Sequence, residues 1–410
     1  MRRSISDWRC SFTGITLFKR LPHMYSDDFT YILLERNVYM KFPSTLKKKL
    51  KKKLSDPAPS NTPGPSEKEL LARIKERTIA LNKNNVTRTQ AYLNFYLKNP
   101  EIHWAFLAHL VSRNAGWNMT DLKGEFIPRL LTGKEQVDFF VFLERGNWLI
   151  FQDAYPQLLL FEESKKRGKP LFHLLSYLNV SLFMEPFWQY YWEYKDKNIM
   201  TVALIINEQN YIEERVIHNH QYKNTVLDTV SFKLQDLFDM NQILFPYVTP
   251  IQNQPKVVGD TVHHFSSLSD RIRTGKILYQ LLYSVESRYH SILDWAKTHA
   301  HTGSRGDYWP HIFHDVKETI PGAAHQPQAR PCDPEGKSPR IYSPKLLQVW
   351  EDWIHNKAET GDWFKDMKVI RHFKDPLKHH KGDIIDNYCE TIEKLELAAL
   401  TKKVFFKRPE

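Results

Sequence analysis

Residues 102–113 constrain this chain most, because a helix drawn through them is apolar on nearly every side. On a helical wheel, Ile102, Phe106, His109 and Arg113 share one stripe, and Trp104, Leu107, Ala108 and Val111 cover the opposite side. Such a helix has no face to leave in water, so it is expected at the centre of the fold. Asn99 and Pro100 precede it, and Gly116 is the expected stop. Asn114, Asn118 and Asp121 continue the polar set. Burying such groups without partners costs roughly 1–3 kcal/mol each. His109, Arg113, Asn114, Asn118 and Asp121 are therefore either a self-satisfying network in the core or the wall of a pocket for a small anionic ligand.

Two further helical stretches carry an acid on an apolar stripe. Asp153 lies between Leu149 and Leu160, and Glu208 sits beside Leu204 and Ile205. Both are natural counterions for Arg113, which makes a buried ion-pair network one reading. In the other, Arg113 binds an anion and one carboxylate works as a base.

The densest polar loop, residues 299–315, holds four histidines and two aspartates around Gly303-Ser304-Arg305-Gly306. His301, Ser304, Arg305, His311 and His314 are its candidates for a phosphate or a divalent ion. Solvated histidines are the plainer reading. There is no His-Glu-x-x-His, no Glu-x-x-His and no Walker, Gly-x-Gly-x-x-Gly or Gly-x-Ser-x-Gly pattern, so no metal, cofactor or catalytic residue is specified. The aromatic run 183–194 reads as a helix packing against several neighbours rather than a stacking platform.

Beyond residue 66 almost every segment is helical in period. Leu70, Leu71, Ile74, Ile79 and Leu81 mark a first helix, and Thr87 and Gln90 form a capping box opening a second. Further helices are expected over 119–131, 134–145, 148–165, 170–195, 201–218, 268–298, 343–356 and 384–400. In the penultimate one, Leu346, Leu347, Trp350, Trp353 and Ile354 would share a face. Strand-like alternation is scarce. The expected fold class is mostly α, a large irregular helical domain with an extended basic N-terminal tail.

The formal charge of +11 suggests nucleic acid until it is located. Residues 1–54 hold thirteen Lys/Arg against four acids, which is +9, so only +2 is left for residues 55–410. The body is nearly neutral, and nucleic acid is not an expected partner for it. In the tail, Leu46, Leu50 and Leu54 recur one turn apart among the lysines of Lys47–Lys53, a basic amphipathic turn that suits an anionic membrane surface or an acidic partner. Residues 55–66 are proline-rich linker. The expected organisation is a poorly ordered tail and linker over 1–66, with 1–39 read as an upstream extension before Met40. A main helical domain over 67–320, a long loop over 321–343 and C-terminal helices over 344–410 packed on the main domain follow. The three cysteines are far apart and suggest no disulfide framework. With no apolar run long enough to span a bilayer and no signal-like segment, the expected location is cytoplasmic, membrane-peripheral if the tail is a tether.

Residues 113–123 (RNAGWNMTDLK), 147–156 (NWLIFQDAYP) and 301–305 (HTGSR) together resemble the YppC-type proteins of bacilli, a domain-of-unknown-function family, over roughly residues 67–400. The resemblance implies a bacterial cytoplasmic protein. It carries over no activity, cofactor or catalytic residue. The function expected from the residues is a non-enzymatic binding or interaction protein with a small anionic ligand. The alternative is a hydrolase or phosphate-handling enzyme that uses the 299–315 loop with Arg113 and a carboxylate.

Overall fold

A computed structural model describes residues 42–57, 62–229, 232, 241–248, 255–262, 264–317, 340–374 and 383–405, all within one compact unit, Met40–Glu410. Residues 1–39, read as an upstream extension, and 321–339 of the expected long loop lie outside the described residues. The fold is mostly helical. Its main elements are α1 (Ser44–Ser55), α2 (Pro65–Leu81), α3 (Asn85–Lys98), α4 (His103–Asp121), α5 (Gly133–Arg167), α6 (Met184–Tyr194) and α7 (Lys197–Ile212). A hairpin of β1 (Gln242–Val248) and β2 (Pro255–Thr261) follows, and then α8 (Leu268–Tyr283), α9 (Glu286–Thr298) and α10 (Ile385–Phe405).

The helix that is apolar all round is central. α4 packs against α3, α5, α7, α8 and β1, burying Trp104, Phe106, Leu110 and Trp117. Gly116 is not its stop, because the helix runs on to Asp121. A glycine sits there for space: a Cβ would overlap Asn85 Oδ1 and come within 2.8 Å of the His301 ring. Those two groups are hydrogen-bonded at 2.7 Å directly over the helix backbone.

The antiparallel hairpin, paired from Gln242 with Thr261 to Val248 with Pro255, was not legible from the alternation. Asn114 attaches it to α4. Its Oδ1 accepts from the Leu244 amide at 2.8 Å and its Nδ2 donates to the Leu244 carbonyl at 3.1 Å. One carboxamide thus stands in for a neighbouring strand, so β1 is satisfied while lying on a helix.

Several boundaries differ from expectation. The stretches 134–145 and 148–165 are a single helix that passes through Pro156, capped by Thr132 and ended by Gly168 at φ +64°. The stretch 268–298 breaks into two helices near Ser284. The expected helix 343–356 is reduced to one turn, Leu346–Val349, followed by chain without regular secondary structure. Its stripe is scattered: Trp350 stacks on Phe140 with centroids 4.0 Å apart, while Ile354 is 94% exposed. The backbone is held from outside instead. Arg145 donates to the carbonyls of Asn356 and Lys357, and Arg215 to those of Glu359 and Gly361. Such bonds replace those an isolated helix would make.

The basic segment also departs from expectation. α1 is not a free tail, because Leu46 and Leu50 are fully buried and Phe42 packs on Phe187 and Phe373. Lys53 pairs with Glu185 at 2.7 Å and Lys49 with Glu193 at 3.3 Å on α6. The face read as membrane-seeking is spent on this core. Leu50→Ala is accordingly expected to cost about 2–4 kcal/mol in chemical unfolding, whereas a detached tail would show no change. Cys389 is disulfide-bonded, although the spacing of the three cysteines suggested no disulfide framework.

Candidate functional site

The polar stripe of α4 meets the 299–308 loop, and each of its cations is already engaged. Arg113 does not reach Asp153 or Glu208, a correction to the expected ion pair. Its guanidinium donates to the carbonyls of His299 (2.7 Å) and Ala300 (3.1 Å), which follow α9, and lies 4.4 Å from the Trp295 ring centre. The cause is rotational. Glu208 accepts from Trp104 Nε1, and Trp104 lies on the opposite side of α4 from Arg113.

Two turns beyond Arg113, Asp121 and Arg305 form the ion pair that the sequence did not assign. Arg305 Nε and Nη2 reach Asp121 Oδ2 at 2.9 and 2.6 Å, and Nη1 donates to the Tyr388 hydroxyl at 2.7 Å. The guanidinium lies 4.7 Å from the Trp117 ring centre. The loop around it satisfies itself. Asp307 accepts from the Thr302 amide and hydroxyl, Ser304 Oγ donates to the Ser343 carbonyl at 2.6 Å, and Thr120 Oγ1 donates to the Gly303 carbonyl at 2.8 Å.

The histidines do not converge. His109 is fully buried, with Nδ1 against the Thr89 carbonyl at 2.8 Å. His301 is bound by Asn85, His314 Nε2 lies 3.0 Å from the Arg340 carbonyl, and His311 is exposed. Among the described residues no group of three or more His, Cys, Asp or Glu is placed to hold a metal ion. Burial holds His301 down to about pH 4 and His109 well below its ordinary value, so both stay neutral near pH 7.

Asp153 lies in the core between α5 and α7, accepting from Gln157 (2.9 Å) and from Asn207. Trp188 and Trp363 donate in turn to Gln157 and Asn207, at 2.9 and 3.1 Å. This network ties α6 and the 362–364 segment to the core.

An opening lies on the other face of α4. A cavity of about 210 Å³ lies among α3, α4, α5, α7, β1 and α8. Trp104, Ala108 and Ala115 line one side, and Phe142, Ile150 and Leu278 are among the residues facing them. A smaller space of about 70 Å³ shares Asn118, Phe142, Leu143, Asn241 and Phe265 with it and continues towards Asp121, Arg305 and Tyr388. On the sequence alone, this side of α4 reads as packing. The available signal was the small pair Ala108 and Ala115, two turns apart on that face.

Of the candidate residues, Asn114, Asn118, Asp121, Glu208 and Arg305 line this space, and Asn114, Asp121 and Arg305 are engaged with β1 or with one another. Asn118 is half-buried at the junction of the two lobes, and its carboxamide makes no hydrogen bond among the described residues. Glu208 borders the larger lobe, accepting from Trp104 Nε1 at 3.0 Å and Gln209 Nε2 at 3.2 Å. It has no ion-pair partner among the described residues. Arg88 is paired with Glu144 at 2.5 Å, and Arg271 with Glu213. Burial raises Glu208 to about 8, and burial likewise raises Asp153 to about 7.

These shifts have a sign in stability. In the unfolded chain both carboxyls lose their protons near pH 4, at about 3.9 and 4.3, so the folded state binds more protons from there up to about pH 8. Stability is therefore lost as pH rises through that window. Denaturant unfolding between pH 6.5 and 9 is expected to show a falling free energy for the wild type. Glu208→Gln should fall less steeply and be the more stable protein at pH 9. Parallel curves would contradict this.

Among the described residues no helix is long and apolar enough to cross a membrane. The chain is 43% identical over 292 residues to the uncharacterized protein YppC of Bacillus subtilis (strain 168), covering 71% of this chain and 85% of that one. No solved structure matches it. The family model for a protein of unknown function, DUF2515, matches residues 80–395, which takes in α4, the cavity and the 299–308 loop, and the chain belongs to that family.

Proposed function

We propose that this chain is a binding protein whose ligand is a small, largely apolar molecule held in the cavity beside α4. The observation that carries the reading is Asn118, an unengaged carboxamide at the junction of two apolar lobes. It offers both a donor and an acceptor where a ligand would need orienting. A small anion is less well served. Arg88, Arg271 and Arg305, which border the space, are each paired with a carboxylate, and Arg113 serves two backbone carbonyls. A hydrolase or phosphate-handling site on the 299–315 loop has the same weakness, because Ser304, Arg305 and Asp307 are engaged in holding the loop. An anionic surface would have to be met by the lysines of α1 alone, since its leucines face inward.

Thermal denaturation with a neutral probe, 2-phenylethanol, tests the proposal. The wild type is expected to melt higher with the probe present. Ala115→Phe, which fills the larger lobe, should lose that shift while keeping its far-ultraviolet circular dichroism, and Ala108→Leu should weaken it. An equal shift in both filled variants would overturn the reading.

A further inference from the structure

Glu208 is the one feature of the cavity that an apolar, uncharged ligand leaves unexplained. A carboxyl in apolar surroundings without a cation is costly to retain as an anion, and packing alone would favour an apolar side chain there. Its immediate partners are nonetheless both donors. Trp104 Nε1–H points at Oε2 and Gln209 Nε2–H at Oε1, one on each oxygen. Gln209 is itself oriented, its Oε1 accepting from Arg271 Nε at 2.9 Å, while Arg271 is held by Glu213. The relay delivers a polarised amide to Glu208 and keeps the guanidinium occupied elsewhere. This is an environment prepared for a carboxylate and short of one cation.

The groups that face Glu208 do not supply that cation. From α3 come Arg88, paired with Glu144, and Tyr92; from α5 comes Asp153, and from α8 Arg271. Tyr92 and Asp153 can only add negative charge. The rings of Tyr92, Trp104, Phe142 and Phe265 line the same space, and aromatic faces attract a positive charge while accepting an apolar body.

We infer that the cavity takes a small apolar amine in its ammonium form, with Glu208 as its counterion and Asn118 orienting the far end. The inference rests on the cavity being a ligand site and adds the chemical class of the ligand. In the empty protein near pH 7 the carboxyl holds its proton. The ammonium enters already protonated, so the Glu208 proton leaves to solvent and an N–H⁺···⁻O–C contact forms. Proton release is the signature that separates an amine from an uncharged guest.

The test is calorimetric titration of the full chain with 2-phenylethylamine, 2-phenylethanol and 3-phenylpropanoate at pH 6.5, in two buffers of different ionisation enthalpy. The wild type is expected to bind the amine about tenfold tighter than the alcohol and to release close to one proton, with affinity rising towards pH 8.5. Glu208→Gln, nearly isosteric, should lose the preference for amine and the proton release while keeping the alcohol. The wild-type proton inventory keeps the inference testable even if that variant folds poorly. Alcohol and amine bound equally, or amine binding without proton release, would overturn the amine assignment and leave the cavity reading standing. Binding of none of the three would overturn both, and preference for the phenylpropanoate would return the site to its arginines.

Discussion

Replacing Arg305 by methionine is expected to lower the unfolding free energy by about 2–4 kcal/mol, towards the range seen when one member of a buried ion pair is left behind, because the pair is largely but not fully shielded from water. Asp121 would lose the fork of two guanidinium nitrogens that now hold it, and Tyr388 on α10 would lose the donor at 2.7 Å. The Trp117 face would lose its cation as well. Asp121→Leu in the same chain should recover much of the loss, because two apolar side chains leave no stranded charge. The check is denaturant unfolding of the two single variants and the double. Were Arg305 instead a ligand-binding arginine on a polar loop, the single variant would be nearly as stable as the wild type.

Gly116→Ala is the second large effect, and its sign runs against helix propensity. In an exposed helix interior this change gains about 1 kcal/mol. Here the new methyl would fall between α4 and the Asn85–His301 hydrogen bond, overlapping the Asn85 oxygen. The neighbour cannot swing away cheaply. Asn85 is fully buried, and its amide also donates to the Ser112 carbonyl at 2.8 Å. Overpacking costs about 1–3 kcal/mol and a broken buried hydrogen bond adds roughly another 1. A net loss of about 2–4 kcal/mol in thermal or chemical unfolding is expected. A stabilised variant would show that the loop does not press on α4.

The chain's central helix was legible because its signal is local. A segment apolar all round has to be surrounded, whatever surrounds it. The polar residues embedded in it were legible as a set and not as roles. Asn114 closes a hydrogen-bond ladder with β1, Asp121 anchors Arg305, and Arg113 satisfies carbonyls beyond α9. Each partner lies more than a hundred residues away, except that no periodicity records which one. The same limit explains the short helix at Leu346–Val349. Its sequence has a fair helical stripe, but arginines of α5 and of the chain beyond α7 capture the following carbonyls. Propensity lost to tertiary contact. Glu208 and Asn118 were named as candidates from their polarity, whereas the cavity they border was hidden. An empty volume is a difference between what side chains fill and what they enclose, and a wheel shows only which way they point.

A crystal structure of the full chain soaked with 2-phenylethanol tests the central claim most directly, since it places a guest or finds none. The account predicts ordered density for the probe beside α4, with its ring among Trp104, Ile150 and Leu278 and its hydroxyl within hydrogen-bonding reach of Asn118. Density at the 299–308 loop with the cavity collapsed, or a cavity closed by the side chains of Ala108 and Ala115's neighbours, would contradict it.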